Sequence, residues 1–239
     1  MHLRPVSPVI AVVALAAVLA SCGGGGVSGG TPGAPENNGT PGNAHGDPVA
    51  YQHFKDAATR FAALPAYAVS YNAKVDNPGG ASFSATVDFT HKGSTTRMEF
   101  DGTVNGAATR FTMLKDDKSL TVCQSQTATC ARSTDASAQN PLASLDPIGI
   151  LNTVTGDASV SVQPASSQTF AGVAGSCYAV TQKAQHSTFC VDPATGILLL
   201  ASGQSTGSGS QPFTETIAAR SISTVVGAVD TSTPYPIAG

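Results

Sequence analysis

From Tyr67 to Val122 the chain repeats one pattern five times: a short run in which every second residue is apolar, then a turn. Tyr67, Val69, Tyr71, Ala73 and Val75 share one side of the first run, with Ser70, Asn72 and Lys74 on the other. Phe83, Ala85, Val87 and Phe89 repeat the alternation. Met98 and Phe100 follow with Arg97 and Glu99 opposite, then Phe111 and Met113, then Leu120 and Val122. Between the runs stand Asn77-Pro78-Gly79-Gly80, Lys92-Gly93, Asn105-Gly106 and Asp116-Asp117-Lys118. Side chains alternate between faces along a strand, so each run reads as a strand with one apolar and one polar side. Asn-Gly is the strongest short-range hairpin signal. Five strands joined by short turns form an antiparallel meander with one face covered and one wet.

The period changes at both ends of this block. Asp47-Pro48 reads as a helix cap followed by proline at the first helical position. Tyr51, Phe54, Ala58 and Phe61 then recur at helical spacing until Pro65, and His53 beside them reads as a surface residue. Leu142, Leu145, Ile148 and Leu151 mark a second helical stretch within Pro141 to Thr153. Pro147 falls inside it, which predicts a kinked or two-part helix. Strands resume at Val160 and Val162. Ser176–Gln182 and Ser187–Val191 read as a hairpin, Asp192 to Gly196 as a turn, and Ile197 to Leu200 as an apolar strand. Gly203 to Gln211 reads as a Gly/Ser loop and Phe213 to Val226 as a last strand with Phe213, Glu215, Ile217 and Ala219 on one face. Thr231 to Gly239 reads as a loose tail. The class is mainly β within α+β.

Upstream, an apolar run from Val9 to Ala20 ends at Leu19-Ala20-Ser21-Cys22, with Arg4 before it. About a dozen apolar residues make a secretory signal, whereas a bilayer span needs ~20. Leu-Ala-Ser-Cys resembles the bacterial lipobox, which implies a diacylglyceryl group on Cys22 and cleavage before it. Gly23 to Asp47 is Gly, Pro, Asn and Thr with little to bury, and reads as a disordered tether with a reach of ~25–30 Å. The expected division is residues 1–21 signal, 22–47 lipidated cysteine and tether, and 48–239 one antiparallel β domain with helices. The expected setting is the outer face of a cell membrane or envelope, reached by the lipid anchor.

Composition excludes several classes. Charged residues make up 11% of the chain and the formal net charge is -3. No block of Lys or Arg occurs, so nucleic acid has no electrostatic footing as a partner. Cys123, Cys130, Cys177 and Cys190 are an even number in an exported chain and read as two disulfides; a four-cysteine zinc site lacks the short spacing such sites prefer. Four cysteines allow three connectivities, and pairing neighbours, Cys123 with Cys130 and Cys177 with Cys190, closes two local loops. Gly203-Gln204-Ser205-Thr206-Gly207 fits G-x-S-x-G, but the residues after it will not start the helix that a nucleophile elbow needs. The histidines are scattered, so no metal and no cofactor is expected, and no enzyme. Glu215 is a carboxylate on an otherwise apolar side. It reads either as a strand-edge residue reaching water or as the mouth of a cavity.

The order of elements, from lipobox and tether through helix, meander, central helices and further meander, resembles the LolA-like and LppX/LprG-like lipoproteins over Pro48 to Val226. The stapled hairpin around Ser176-Cys177-Tyr178 and Phe189-Cys190-Val191-Asp192 resembles one in other exported bacterial lipoproteins. The first resemblance implies a curved half-barrel, helices inside its concave side, and an apolar cavity for acyl chains. Tyr67, Val69, Tyr71, Phe83, Val87 and Phe89 from the sheet, with Leu142, Leu145, Ile148 and Leu151 from the central helix, would line it. Two functions follow. One is a monomeric, membrane-tethered carrier of a lipid or other hydrophobic ligand. The alternative is an envelope interaction module whose core is filled.

Overall fold

The computed structural model describes residues 45–77, 82–134, 146–182, 185–205 and 213–238. The signal, Cys22 and most of the tether lie outside them. Helix α1 (Pro48–Ala62) is capped by Asp47, whose carboxylate accepts from the amides of Val49 and Ala50 at 2.9 Å. It buries Ala50, Phe54, Ala57, Ala58 and Phe61. Six strands follow: β1 (Ala66–Asp76), β2 (Phe83–Lys92), β3 (Thr95–Val104), β4 (Ala107–Lys115), β5 (Leu120–Gln124) and β6 (Thr129–Ser133). Helix α2 (Pro147–Thr155) leads into β7 (Ser161–Phe170), β8 (Val173–Gln182), β9 (Gln185–Val191), β10 (Leu198–Ser205) and β11 (Phe213–Ser223).

All strands belong to one open sheet, ordered β6-β5-β4-β3-β2-β1-β11-β10-β9-β8-β7. Every pairing between strands is antiparallel. The last strand returns to the first, so β11 joins two meanders through its register with β1, from Ala68↔Ser223 to Asp76↔Thr214. Asn105 and Gly106 take positive φ of 49° and 79° at the β3–β4 turn. The expected alternation is matched by burial in β1 and β2, where Tyr67, Val69, Tyr71, Ala73 and Val75, and Phe83, Ala85, Val87 and Phe89, are all buried. In β5 it is inverted, since Thr121 and the disulfide-bonded Cys123 are buried while Leu120 and Val122 are only partly so. Strand β4 buries Thr112 and Leu114 as well as Phe111 and Met113.

The structure corrects several boundaries. The segment around Cys130 is a strand, because Leu120 to Gln124 offers it a full register from Leu120↔Ser133 to Gln124↔Thr129. The β10 strand runs through Gly203 to Ser205 instead of ending at Leu200. Pairing on both sides, Gly203 with Ser187 and with Glu215, overrides the weak strand preference of glycine. The last strand stops at Ser223, three residues short of Val226. Helix α2 starts at Pro147, where the break was expected, and the stretch before Asp146 lies outside the described residues. Asp146 caps the helix by accepting from the Ile148 amide at 3.1 Å, which leaves proline at a position with no intrahelical donor to lose.

The tail is not loose. Lys92 Nζ donates to the Val226 carbonyl, and Arg97 donates to the carbonyls of Asp230 and Ser232 at 3.0 and 2.9 Å. Ile237 forms a parallel bridge with Cys130 on the free side of edge strand β6. At the opposite edge Gly46 bridges Val162 of β7. Each outer edge of the sheet is thereby paired at one point by a flanking segment, which blunts strand-to-strand association.

The disulfides are Cys123–Cys130 and Cys177–Cys190, the two neighbour pairs, with Cα separations of 3.9 and 4.0 Å. Each joins residues directly opposed on paired strands, β5 to β6 and β8 to β9.

Candidate ligand-binding face

The six sheet residues expected to line a cavity lie on one face of β1 and β2, in register. Val69 opposes Phe89, Tyr71 opposes Val87 and Val75 opposes Phe83. Each of the six is between 1% and 5% exposed. All six belong to the buried core of the described residues. Phe61 of α1 meets Tyr67 edge-on at 4.9 Å, and Tyr71 meets Phe89 at 6.1 Å. The Tyr71 hydroxyl donates to the Leu198 carbonyl at 2.9 Å, which satisfies a phenol that burial would otherwise penalise. Burial raises the pKa of both tyrosines, with a smaller contribution from Asp146.

Of the four helical candidates, Leu151 is fully buried and Ile148 packs against the core at partial exposure. Leu142 and Leu145 lie outside the described residues. Helix α1 rests on the β7–β9 half of the sheet, where Phe54 touches Tyr178 and Phe189 at 5.3 and 5.7 Å. Helix α2 packs on α1 and β10, and the Tyr51 hydroxyl donates to the Thr155 carbonyl. Asp146, at the start of α2, is buried enough to raise its carboxyl pKa, despite the backbone amides and Lys115 that favour the charged form.

The apolar face extends beyond the residues singled out from sequence. Phe100 stacks on Phe111 at 4.7 Å and meets Phe83 at 6.0 Å, while Met98 and Met113 oppose each other one pair along. All are buried. The signal for them was the same alternation that gave β1 and β2. They form a continuous buried aromatic and thioether layer on β2, β3 and β4, within the same core that receives α1 and α2.

Glu215 interrupts the inner face. Strand β11 is flanked by β1 and β10, so the residue is not at a sheet edge. Its register partners are Val75 and Gly203. Burial alone raises its pKa from 4.5 to about 7. Its Oε2 is buried and has no hydrogen-bond partner among the described residues. Ser187, which pairs with Gly203, contributes a hydroxyl to the same row. Sequence reading placed Gly203 in a loop and so missed this juxtaposition.

The outer face carries open, polar grooves. One of about 330 Å³ is bordered by Thr181, His186, Gln204 and Thr214, and one of about 580 Å³ by Asn72, Lys74, Thr86 and Asp101. Beside α1, two more grooves of about 330 and 170 Å³ share His53, Ser176 and Tyr178. Among the described residues no group of three or more His, Cys, Asp or Glu is placed to hold a metal ion. No helix among them is long and apolar enough to cross a membrane.

Neither a family model nor a curated protein sequence matches the chain. Solved structures do. MucB is similar over 77% of this chain, with a TM-score of 0.50 and 13% identity; the match spans 62% of the length of MucB. LprF from Mycobacterium bovis matches 80% of this chain and 99% of its own, with a TM-score of 0.48 and 14% identity. The Mycobacterium tuberculosis lipoprotein LppX matches 72% and 94%, with a TM-score of 0.45 and 14% identity. At these identities the likeness is one of fold.

Proposed function

We propose that this is an exported protein, lipid-anchored through Cys22, that binds an acyl-like hydrophobic ligand on the concave side of its sheet. The carrying observation is the continuous apolar layer of Phe83, Met98, Phe100, Phe111 and Met113, within the same core that receives α1 and α2. Such a layer suits a flexible alkyl chain. Burying ~10 methylenes supplies ~8 kcal/mol before ordering costs, which is sufficient for a carrier. Nothing in this role requires a cofactor or a catalytic step.

The tight burial of the six sheet candidates favours a second reading, in which the core is simply filled and the outside does the work. The grooves beside α1 are then the surface offered to a partner.

One experiment separates the readings. The mature chain, residues 22–239 with Cys22→Ser, is purified without detergent, extracted with solvent and analysed by mass spectrometry. Lipid near one per protein supports the carrier. An empty extract, with no uptake of a neutral fluorescent alkyl probe, leaves the interaction module.

A further inference from the structure

We infer that Glu215 is the polar anchor of the concave face and that it selects amphiphiles with an uncharged, hydroxyl-bearing end over those with an anionic one. This rests on the ligand-binding reading above and adds the class of headgroup.

The geometry is a single row across five strands. Ser187 of β9, Gly203 of β10, Glu215 of β11, Val75 of β1 and Phe83 of β2 oppose one another in turn. Adjacent strands are ~4.8 Å apart, so the Glu215 and Phe83 backbones are separated by roughly 10 Å. Phe83 opens the aromatic surface that continues to Phe100 and Phe111. A chain lying on that surface can bring its polar end to Glu215 with no reorganisation of the sheet.

Gly203 gives the Glu215 side chain its room. A Cβ at position 203 would lie 3.1 Å from Glu215 Oε1 and 3.0 Å from Ser187 Oγ. Glu215 Oε1 and Ser187 Oγ therefore draw together over a strand position that only glycine leaves free, and a side chain at 203 would press on both. Oε2 has no hydrogen-bond partner among the described residues, an unfavourable state for a buried polar atom. A ligand donor would recover it.

The row also says which donor. Its other members, Ser187, Gly203, Val75 and Phe83, carry no charge. The neighbouring Lys74 and Asp76 alternate to the outer face, as does His186. Among the described residues no cation stands between the Glu215 carboxylate and a phosphate or carboxylate end. An ammonium end would require the carboxylate form, which burial disfavours. A hydroxyl pairs with both forms: it donates to the carboxylate, and it accepts from the acid.

The test uses three probes of one chain length, dodecanol, dodecanoate and dodecylamine, displacing N-phenyl-1-naphthylamine from the Cys22→Ser mature chain at pH 7. Dodecanol is expected to compete at roughly tenfold lower concentration than dodecanoate, from the cost of placing like charges together. Glu215→Gln should bring the two close to parity by strengthening dodecanoate, and Gly203→Ala should weaken dodecanol. A measurement without variants guards against a misfolded one: in the wild type, the preference for dodecanol over dodecanoate should widen between pH 6 and 8.5. An alcohol-to-acid ratio that neither Glu215→Gln nor pH alters overturns this inference and leaves ligand binding intact. So does dodecylamine binding tightest. Displacement by none of the three, in either protein, overturns the ligand-binding reading and this one with it.

Discussion

Cys130 and Ile237 lie side by side in a parallel bridge. The Cys130 amide donates to the Pro236 carbonyl at 2.9 Å, and the Cys130 carbonyl accepts from the Ala238 amide at 2.8 Å. These groups are the outward pair of edge strand β6, so the tail completes hydrogen bonding that the sheet leaves open. Removing residues 231–239 should expose that edge and also strip one carbonyl partner from Arg97. At ~1 kcal/mol per bond the expected loss is about 2–3 kcal/mol. Urea unfolding of the truncated chain measures it, and hydrogen exchange should show the Cys130 amide losing protection. An unchanged midpoint would mean the tail is ornamental.

The tail shows where the sequence stopped being legible. Pro234, Pro236 and a lack of alternation gave no pattern between residues 231 and 239, and the bonds that fix the tail come from partners 130 and 97, which no local rule connects to it. The sheet was legible because each inward residue of β1 to β4 is marked by its own side chain. Strand β6 was not, since Thr-Cys-Ala-Arg-Ser has no apolar alternation and is held by its register with β5. The site divides in the same way. Tyr67 through Phe89 could be read from period two, whereas Gly203 carries no side chain to signal its face. Its position beside Glu215 follows only from pairing.

A local signal was present and misread at α2. Asp146-Pro147 repeats Asp47-Pro48, and both aspartates cap helices whose first residue is proline. Asp146→Ala should therefore destabilise the protein by ~1 kcal/mol, while Asp146→Asn keeps the cap and loses only a few tenths. Thermal unfolding of the two variants distinguishes a cap from a purely electrostatic role. The latter would make both substitutions equivalent.

Glu215 makes stability depend on pH in a direction opposite to that of most carboxylates. Its folded pKa, about 7, lies above the ordinary 4.5. The folded state therefore binds the proton more tightly than the unfolded chain. The contribution is fully present below pH 4.5, fades as pH rises through 7 and is absent above it. Allowing for its partial exposure, the change is about 2 kcal/mol. Unfolding free energies at pH 5 and 8.5 should differ by that amount in the wild type and much less in Glu215→Gln. A Gln variant that retains the full slope would assign it elsewhere.

Helix α1 is locked to the sheet at one residue that has no side chain. Gly196, in the turn between β9 and β10, has φ of 79°, a region that L side chains rarely adopt. A Cβ built there collides with the Ala57 carbonyl and comes within 2.9 Å of the Phe61 amide. Backbone meets backbone, so neither partner can rotate away. Gly196→Ala must either push α1 off the sheet, which opens the Phe54 contacts with Tyr178 and Phe189, or twist the turn whose Asp192 and Gly196 are hydrogen-bonded at 2.8 Å. The left-handed backbone alone costs ~1–2 kcal/mol, and the displaced packing adds to it. The expected loss exceeds ~2 kcal/mol, read as a lower urea midpoint with an unchanged slope. Ala57→Gly would not relieve it, because the obstructing atom is the carbonyl oxygen. Full stability in Gly196→Ala would show that α1 is free to shift on the sheet, and so that the concave side can open at no cost.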